Sequence, residues 1–173
     1  MFNKYKDRGL TGLANCGNTC YLNSCIQILS HTYELNELLD TDNLKINNNI
    51  DSNILKEYKS LLDLMWSKNC TIAPMGFING IQKTSLEKDY IMFSGWEQND
   101  LLEFLNFLID SFHNSLSKKM NFVIQGNIKN SKDKLAVKCF EMMKNRYSND
   151  YSQIVDMFYG IQVTHIFNEN NNN

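Results

Sequence analysis

Apolar residues recur at helical spacing along much of the chain. After Cys20, the positions Leu22, Ile26 and Leu29 fall on one face of a helix that begins at about Cys20. The same kind of pattern predicts helices at about 33–39, 54–68, 75–82, 97–116, 135–147 and 152–158. The last stretch differs, because residues 160–167 alternate and contain Ile, Val, Thr and Phe, which favours a strand.

The longest helical pattern, residues 97–116, has a broad apolar stripe. Its members are predicted to be Leu101, Leu105, Leu108 and Phe112, widened by Phe104 and Ile109. Polar stretches at 41–53 and 125–132 separate the helices and predict surface loops. There is no internal repeat or clear linker. We therefore expect one domain over 9–167, preceded by a polar segment, 1–8, and followed by an Asn-rich disordered tail, 168–173.

Composition narrows the class of protein. The chain has 173 residues, of which 43% are hydrophobic and 21% charged, as expected of a globular domain. Its formal net charge of -2 gives no electrostatic case for nucleic acid or an anionic membrane, and no apolar run is long enough to span a bilayer. The 25 asparagines, with many Ile and Lys, indicate an AT-rich source genome such as a protist or a large DNA virus.

The five cysteines point to a reducing compartment. Their number is odd, and the N-terminus has no signal-peptide core. We expect free thiols and a cytoplasmic or nuclear protein, in the host cytoplasm if it is viral. No C-x-x-C pair exists, so we expect no zinc site and no other metal or cofactor.

One cysteine occupies a position suited to catalysis. Residues 9–17 hold three glycines and predict a loop, and Asn18 or Thr19 can cap the helix that starts at about Cys20. The unpaired N–H groups and the dipole of a helix N-terminus favour thiolate over thiol. The amides of Asn15 and Asn18 could stabilise an oxyanion, an effect worth ~3 kcal/mol per donor. By position alone, however, a buried structural cysteine is the commoner case.

The residues around this cysteine carry more information. The run Gly-Leu-x-Asn-x-Gly-Asn-Thr-Cys-Tyr-x-Asn-Ser over 12–24 closely resembles the cysteine box of the ubiquitin-specific proteases. The resemblance implies that Cys20 is the nucleophile and that Asn15 supports the oxyanion. Cys16 falls at a variable position of the box, and Cys25 lies further into the helix, so we interpret both as structural.

A second block, Gly95 to Leu105, resembles the Gln-Gln-Asp-Ala-x-Glu-Phe-Leu block of the same family. There it opens a long helix across the cleft from the cysteine helix. The resemblance implies that Gln98, Asp100 and Glu103 help to hold the basic C-terminal tail of ubiquitin.

Two positions of this block differ from the family, because Asn99 and Leu101 stand where the family has Gln and Ala. The alternative is that the two acids are ordinary first-turn residues at a helix N-terminus. Residues 158–160, Phe-Tyr-Gly, resemble the point where family members pass from the helical thumb into the palm and fingers, and they serve mainly to align the chain with the family.

The resemblance implies a papain-like, α+β cysteine protease fold, of which this chain supplies the predominantly α thumb and a C-terminal strand. The implied function is thiol-dependent hydrolysis of the bond after the C-terminal glycine of ubiquitin. Ubiquitin or ubiquitinated proteins are the implied partners, and no cofactor is implied.

The family's catalytic histidine stands in a Gly-His-Tyr setting, and none of His31, His113 and His165 does. Without an imidazole, a thiol protease lacks its general base. We expect the sequence to stop before the catalytic histidine, and a palm and fingers half supplied elsewhere would complete the site. Two alternatives stay open: a non-catalytic ubiquitin-binding adaptor derived from the family, and an incomplete or split gene product.

Overall fold

Seven α-helices and one two-stranded parallel sheet form the part of the chain that the computed structural model describes, residues 2–166. The helices are α1 (Cys20–Ser30), α2 (Tyr33–Leu39), α3 (Ser52–Ser67), α4 (Met75–Glu87), α5 (Leu101–Leu116), α6 (Ser131–Tyr147) and α7 (Gln153–Phe158). The strands are β1 (Gly12–Leu13) and β2 (Thr71–Ile72), and short 3-10 helices span Phe2–Tyr5 and Ile91–Phe93. Within this range, no helix has both the length and the apolar character needed to cross a bilayer.

The core forms around α5, which packs against α1, α3 and α7, while α3 also packs against α4. The buried face of α5 is centred on Phe104, Leu108 and Phe112, which follow each other at four-residue spacing. The predicted stripe is therefore wrong in part, because Leu101 is exposed and Leu105 is only half-buried. The helix starts at Leu101 rather than Glu97, so its first turn lies at the edge of the core.

The small sheet was not predicted from the sequence, because each of its strands has only two residues. Gly12 pairs with Thr71 and Leu13 with Ile72. The neighbouring Thr11 is buried, with its hydroxyl 2.8 Å from the carbonyl oxygens of Met65 and Lys68. The sheet thus holds the chain that leads into α1 against the end of α3.

The polar N-terminal segment contacts the helices. The Tyr5 ring stacks on Tyr33 with centroids 4.4 Å apart and meets Trp66 edge-on at 4.9 Å. Its hydroxyl donates to Glu37 Oε1 at 2.9 Å, and Lys4 lies 2.9 Å from the same carboxylate. Aromatic packing therefore places residues 4 and 5 on α2 and α3.

The last third of the described chain is less buried. α6 is capped at its start, where the Asn130 side chain accepts from the Asp133 N–H and the Asp133 side chain accepts from the Asn130 N–H. This capping box starts the helix four residues earlier than its apolar pattern predicts, and no residue of α6 is buried.

The strand predicted over 160–167 is not formed in its described part, 160–166, where no backbone ladder is present. A strand needs a hydrogen-bonded neighbour, and none pairs with this segment within residues 2–166. Residue 167 and the predicted tail, 168–173, lie outside the described residues.

Candidate active site

Cys20 is the first residue of α1, and its side chain is exposed. The predicted start of this helix is therefore confirmed. Backbone N–H groups in the first turn of a helix have no partner within the helix and point towards its N-terminal end. The thiol thus stands where an anion, or an oxygen that becomes negative during a reaction, is stabilised.

The loop before Cys20 is organised by the side chain of Asn15. Its Oδ1 accepts from the backbone N–H of Gly17 at 3.1 Å and from the N–H and the hydroxyl of Thr19, both at 3.2 Å. With the oxygen fixed in this way, the amide nitrogen Nδ2 is left without an acceptor among the described residues, on an exposed side chain. Asn15 can therefore donate to a ligand without breaking the loop.

Neither of the two predicted capping residues caps α1 with its side chain. Thr19 does occupy the N-cap, but its hydroxyl makes no bond to the helix and instead accepts from the Cys16 N–H at 3.1 Å. Asn18 has a positive φ of 52°, an uncommon conformation that asparagine tolerates. Its Nδ2 donates to the carbonyl oxygen of Trp96 at 3.1 Å.

Two further amides fasten the loop to the side of α1. Asn23 Nδ2 donates to the carbonyl oxygen of Ala14 at 3.1 Å, and Gln27 Nε2 donates to that of Thr11 at 2.8 Å. Neither residue was given a role of its own from the sequence, although Asn23 lies within the cysteine box. Their i, i+4 spacing on a helix otherwise rich in apolar residues was the signal that they share a contact surface.

The second block lies beside this loop, as expected. Asn99 Nδ2 donates to the Tyr21 hydroxyl at 3.2 Å, and the Tyr21 and Phe104 rings meet edge to face with centroids 5.1 Å apart. One turn further along α1, Cys25 Sγ lies 3.6 Å from the Leu101 carbonyl oxygen. Cys20 is thus flanked, at residues 18 and 21, by hydrogen bonds to the segment 96–99.

The three predicted tail-binding residues are all exposed and lie close together in sequence and in space. Gln98 belongs to the loop before α5. Asp100 is the N-cap of α5, and its Oδ1 accepts from the Glu103 N–H at 2.9 Å. Glu103 lies in the first turn. Asp100 therefore has the structural role that we named as the alternative, although capping occupies only one of its carboxylate oxygens.

The chain around the site is acidic. Residues 9–30 and 95–117, which include α1, α5 and the loops at the site, hold four Asp or Glu, all of them between 97 and 110, and no Lys or Arg. Such a charge distribution attracts a cationic ligand and does not repel it at any point along these segments.

Two of the three histidines are held away from Cys20. His31 follows the last residue of α1, about 16 Å along the helix axis, and its Nδ1 lies 2.9 Å from the Gln27 carbonyl oxygen. His113 is buried near the end of α5, with Nδ1 2.8 Å from Ser152 Oγ and Nε2 3.4 Å from Asp150 Oδ2. His165 lies beyond α7, and its side chain is exposed.

The other cysteines of the box differ from Cys20 in their surroundings. Cys25 is fully buried against α5, and burial raises the pKa of its thiol to about 11. Cys16 is partly buried, with its Sγ 3.6 Å from the Ala14 carbonyl oxygen. Of the three, Cys20 alone is exposed.

Comparison with known proteins identifies the family. A family model described as ubiquitin carboxyl-terminal hydrolase matches residues 11–173. Ubiquitin carboxyl-terminal hydrolase 15 of Xenopus tropicalis is 35% identical over 162 residues, which are 88% of this chain and 16% of the relative. Ubiquitin carboxyl-terminal hydrolase Usp2 of Drosophila melanogaster is 38% identical over 133 residues, covering 76% of this chain and 13% of the relative. Ubiquitin carboxyl-terminal hydrolase 4 of Mus musculus is 34% identical over 162 residues, with coverages of 88% and 16%.

The chain belongs to the ubiquitin carboxyl-terminal hydrolase family, among the ubiquitin-specific proteases. Its mostly helical structure with a small sheet is compatible with the papain-like fold of that family. The chain spans 16% or less of the length of these curated relatives.

Proposed function

We propose that this chain supplies the nucleophile and the oxyanion donor of a cysteine-type deubiquitinase. The observation that carries the proposal is the pairing of an exposed Cys20 at the start of α1 with an Asn15 amide whose oxygen is tied to the loop and whose nitrogen is not. A thiol and a preorganised donor in one loop are what acyl transfer requires.

In the proposed reaction, Cys20 Sγ attacks the carbonyl carbon of the C-terminal glycine of ubiquitin. The carbonyl oxygen becomes an oxyanion that Asn15 Nδ2 and the N–H groups of the first turn of α1 stabilise. The carbon–nitrogen bond then breaks, the amine leaves with a proton, and a thioester remains on Cys20. Water hydrolyses the thioester, which releases the carboxylate of ubiquitin and restores the thiol.

The acidic residues at the start of α5 and in the segment before it favour a substrate with a basic tail. Gln98, Asp100 and Glu103 form an exposed polar edge next to the loop that carries Cys20, and no basic residue lies on either segment. A basic tail such as that of ubiquitin is attracted to such an edge, and a carboxylate pairs well with arginine. We therefore propose ubiquitin or ubiquitinated proteins as the partner.

The proton transfers need a base that we propose lies outside residues 2–166, because none of His31, His113 and His165 has the family's Gly-His-Tyr setting. His31 sits at the far end of α1, and the ring nitrogens of His113 face Ser152 and Asp150. We propose that a palm and fingers half carries the histidine. Because the matched region is 16% of the length of its relatives, there is ample sequence in those proteins for such a half.

A non-catalytic ubiquitin-binding protein is the second candidate. It is favoured by the positions of His31 and His113, which both lie away from Cys20. In that case the acidic edge would bind the ubiquitin tail without any turnover.

Cleavage of a fluorogenic ubiquitin C-terminal substrate tests the proposal. The 173-residue chain alone should give negligible cleavage, because loss of general acid–base catalysis costs ~100- to 10,000-fold. Addition of the histidine-bearing half of a family catalytic domain should give cleavage that Cys20→Ala abolishes. Robust turnover by the chain alone would show that its base lies within it. Turnover that survives Cys20→Ala would show that the nucleophile is wrong, and ubiquitin binding with no turnover in any mixture would favour the adaptor.

A further inference from the structure

Residues 118–146, which we call the basic arm, carry a charge opposite to that of the rest of the chain. The arm holds eight Lys or Arg and two Asp or Glu, whereas the remaining residues hold nine and seventeen. The eight cations are Lys118, Lys119, Lys129, Lys132, Lys134, Lys138, Lys144 and Arg146. All eight residues are exposed, and none forms an ion pair with a carboxylate within residues 2–166. The net charge of -2 for the whole chain conceals this separation.

Backbone hydrogen bonds close the base of the arm. Lys118 and Tyr151 exchange two such bonds, of 2.8 and 2.9 Å, and the Met120 N–H donates to the Ser148 carbonyl oxygen at 2.8 Å. Beyond these bonds, the loop 121–124 lies beside the last turns of α6, since both line the same shallow cavity. The loop and the helix therefore present one continuous surface.

Apolar side chains lie exposed among these cations. Val123 is 70% exposed and Ile128 is 53% exposed. On α6, Phe140 and Met142 are also more than half exposed. No residue from 118 to 150 is buried. A lysine-rich face by itself is an ordinary solvated surface, but apolar side chains in the same place are unfavourable in water. Their presence among unpaired lysines indicates a partner that is both anionic and apolar.

We propose that the basic arm binds the surface of a membrane that contains anionic lipids, with its lysines at the headgroups and the side chains of Val123 and Ile128 in the acyl boundary. Lysines are attracted to the negative potential of such a surface, and apolar side chains that enter the boundary strengthen the binding. The arm lies on the membrane and does not cross it, in keeping with the absence of a membrane-spanning helix among the described residues. The inference goes beyond the proposed function and does not depend on it.

The composition of the arm favours lipid over nucleic acid as the anionic partner. Seven of its eight cations are lysine, whereas arginine is the residue whose planar fork binds phosphates and base edges with a defined geometry. A bilayer surface requires no such geometry, because a lysine ammonium acts as a point charge towards the headgroups. Exposed aliphatic side chains also gain little from a nucleic acid backbone, whereas an acyl layer removes them from water.

The arm is remote from the cysteine loop. It begins just after α5 ends at Leu116, whereas Cys25 of α1 contacts Leu101 at the other end of that helix. The two ends of α5 lie about 22 Å apart along its axis. Lipid bound to the arm therefore does not need to contact the loop that carries Cys20.

Sedimentation with lipid vesicles tests the proposal on the 173-residue chain. The vesicles consist of phosphatidylcholine alone, or of phosphatidylcholine with about one third phosphatidylserine. We expect the chain to sediment with the anionic vesicles at low salt and to dissociate as the salt concentration rises, because salt screens the attraction. It should not sediment with the neutral vesicles. This comparison uses the unaltered chain, so it does not depend on any variant folding.

Two matched pairs of lysine substitutions locate the surface. The Lys134→Gln/Lys138→Gln variant removes two exposed charges from the arm, and Lys56→Gln/Lys83→Gln removes two exposed charges from α3 and α4. One lysine near an anionic surface changes binding about fivefold. We therefore expect the first pair to weaken binding about tenfold or more, and the control pair to weaken it less than about twofold.

A third variant, Val123→Ser/Ile128→Ser, tests the apolar contribution at unchanged net charge. We expect it to weaken binding about tenfold, because two aliphatic side chains no longer leave water when the arm binds. Both residues are exposed in the free chain, so the variant should unfold in urea like the wild type.

Four results would overturn the proposal. The first is no binding to the anionic vesicles at low salt, or equal binding to the neutral ones. The second is an equal loss of binding in the two lysine pairs, and the third is unchanged binding in Val123→Ser/Ile128→Ser. The fourth is binding of an RNA or DNA duplex, measured by fluorescence anisotropy, at a salt concentration where the anionic vesicles no longer bind, which would make nucleic acid the partner. None of these measurements involves Cys20 or turnover, so their failure leaves the proposed function untouched.

Discussion

The side-chain amide of Asn99 donates a hydrogen bond to the hydroxyl of Tyr21, the residue directly after Cys20, with 3.2 Å between the two atoms. Tyr21 is buried, and burial raises the pKa of its phenol, so the hydroxyl stays protonated near neutral pH. The bond joins the helix that carries the nucleophile to the acidic segment that we propose as the tail-binding edge. Asn99 is also the position at which the sequence departs from the family's Gln.

Removal of this bond should loosen the site without unfolding the protein. Asn99→Ala removes the bond to Tyr21 and a second bond from Nδ2 to the Glu97 carbonyl oxygen, 3.1 Å away, so we expect it to lower the free energy of unfolding by about 1–2 kcal/mol. Urea denaturation measures the change. Asn106→Ala is the matched control, because Asn106 is exposed on α5 and has no hydrogen-bond partner among the described residues. An equal loss in both variants would mean that the bond to Tyr21 does not stabilise the fold.

Two substitutions of Asn15 separate its role in the loop from its role as a donor. Asn15→Ala removes the acceptor of three hydrogen bonds, so we expect it to destabilise the chain by about 1–3 kcal/mol. Asn15→Asp keeps an acceptor and loses the Nδ2 donor. We expect it to fold, and to lower kcat of the complemented enzyme by ~100-fold or more. Full activity in Asn15→Asp would exclude Asn15 as the oxyanion donor.

Asp100 should show two separable functions. Asp100→Ala removes the N-cap and should cost about 0.5–2 kcal/mol of stability, whereas Asp100→Asn keeps a good capping side chain and loses only the charge. We therefore expect Asp100→Asn to unfold like the wild type in urea but to bind an arginine-containing tail peptide more weakly. Glu103→Gln, which removes a charge and no cap, should behave like Asp100→Asn. If both neutral variants bind with unchanged affinity, the acids are ordinary helix-end residues.

The buried thiol of Cys25 predicts a dependence of stability on alkaline pH. Burial raises its pKa from an ordinary value of 9.0 to about 11, so the folded state binds this proton more tightly than the unfolded state. The resulting stability is fully present below pH 9 and is lost as the pH rises towards 11. We expect the difference in unfolding free energy between the wild type and Cys25→Ala to shrink over that interval. A constant difference would contradict the assigned cause. Other groups with raised pKa values, such as Tyr21, cancel in the comparison.

The sequence predicted those features that local patterns determine. The start of α1 at Cys20 followed from the glycine-containing loop before it and the helical spacing of Leu22, Ile26 and Leu29, and α2 has the predicted bounds, 33–39. The start of α5 was displaced by four residues, because the Asp100 side chain caps the helix and leaves Gln98 in the loop before it. Capping depends on the side-chain rotamer of Asp100, and the pattern of hydrophobic residues does not determine that rotamer.

Contacts between residues that are far apart in the sequence could not be predicted from local patterns. The pairing of Gly12 with Thr71 joins positions 59 apart through only two-residue strands. The contacts of Asn18 and Tyr21 with the segment 96–99 also require the packed fold. Conversely, alternation over 160–167 predicted a strand that lacks a partner within the described residues, because a β pattern alone does not supply the second strand.

The central claim is that Cys20 is the thiol presented to the C-terminus of ubiquitin. The most direct measurement uses ubiquitin whose C-terminal carboxyl group is replaced by a thiol-reactive vinyl ester, with mass spectrometry to locate the adduct among the five cysteines. The position of the adduct identifies the reactive cysteine, however slowly the adduct forms. We predict a single adduct on Cys20, which Cys20→Ser abolishes and Cys16→Ser leaves unchanged. An adduct on any of the other four cysteines, or labelling that persists in Cys20→Ser, would contradict the account.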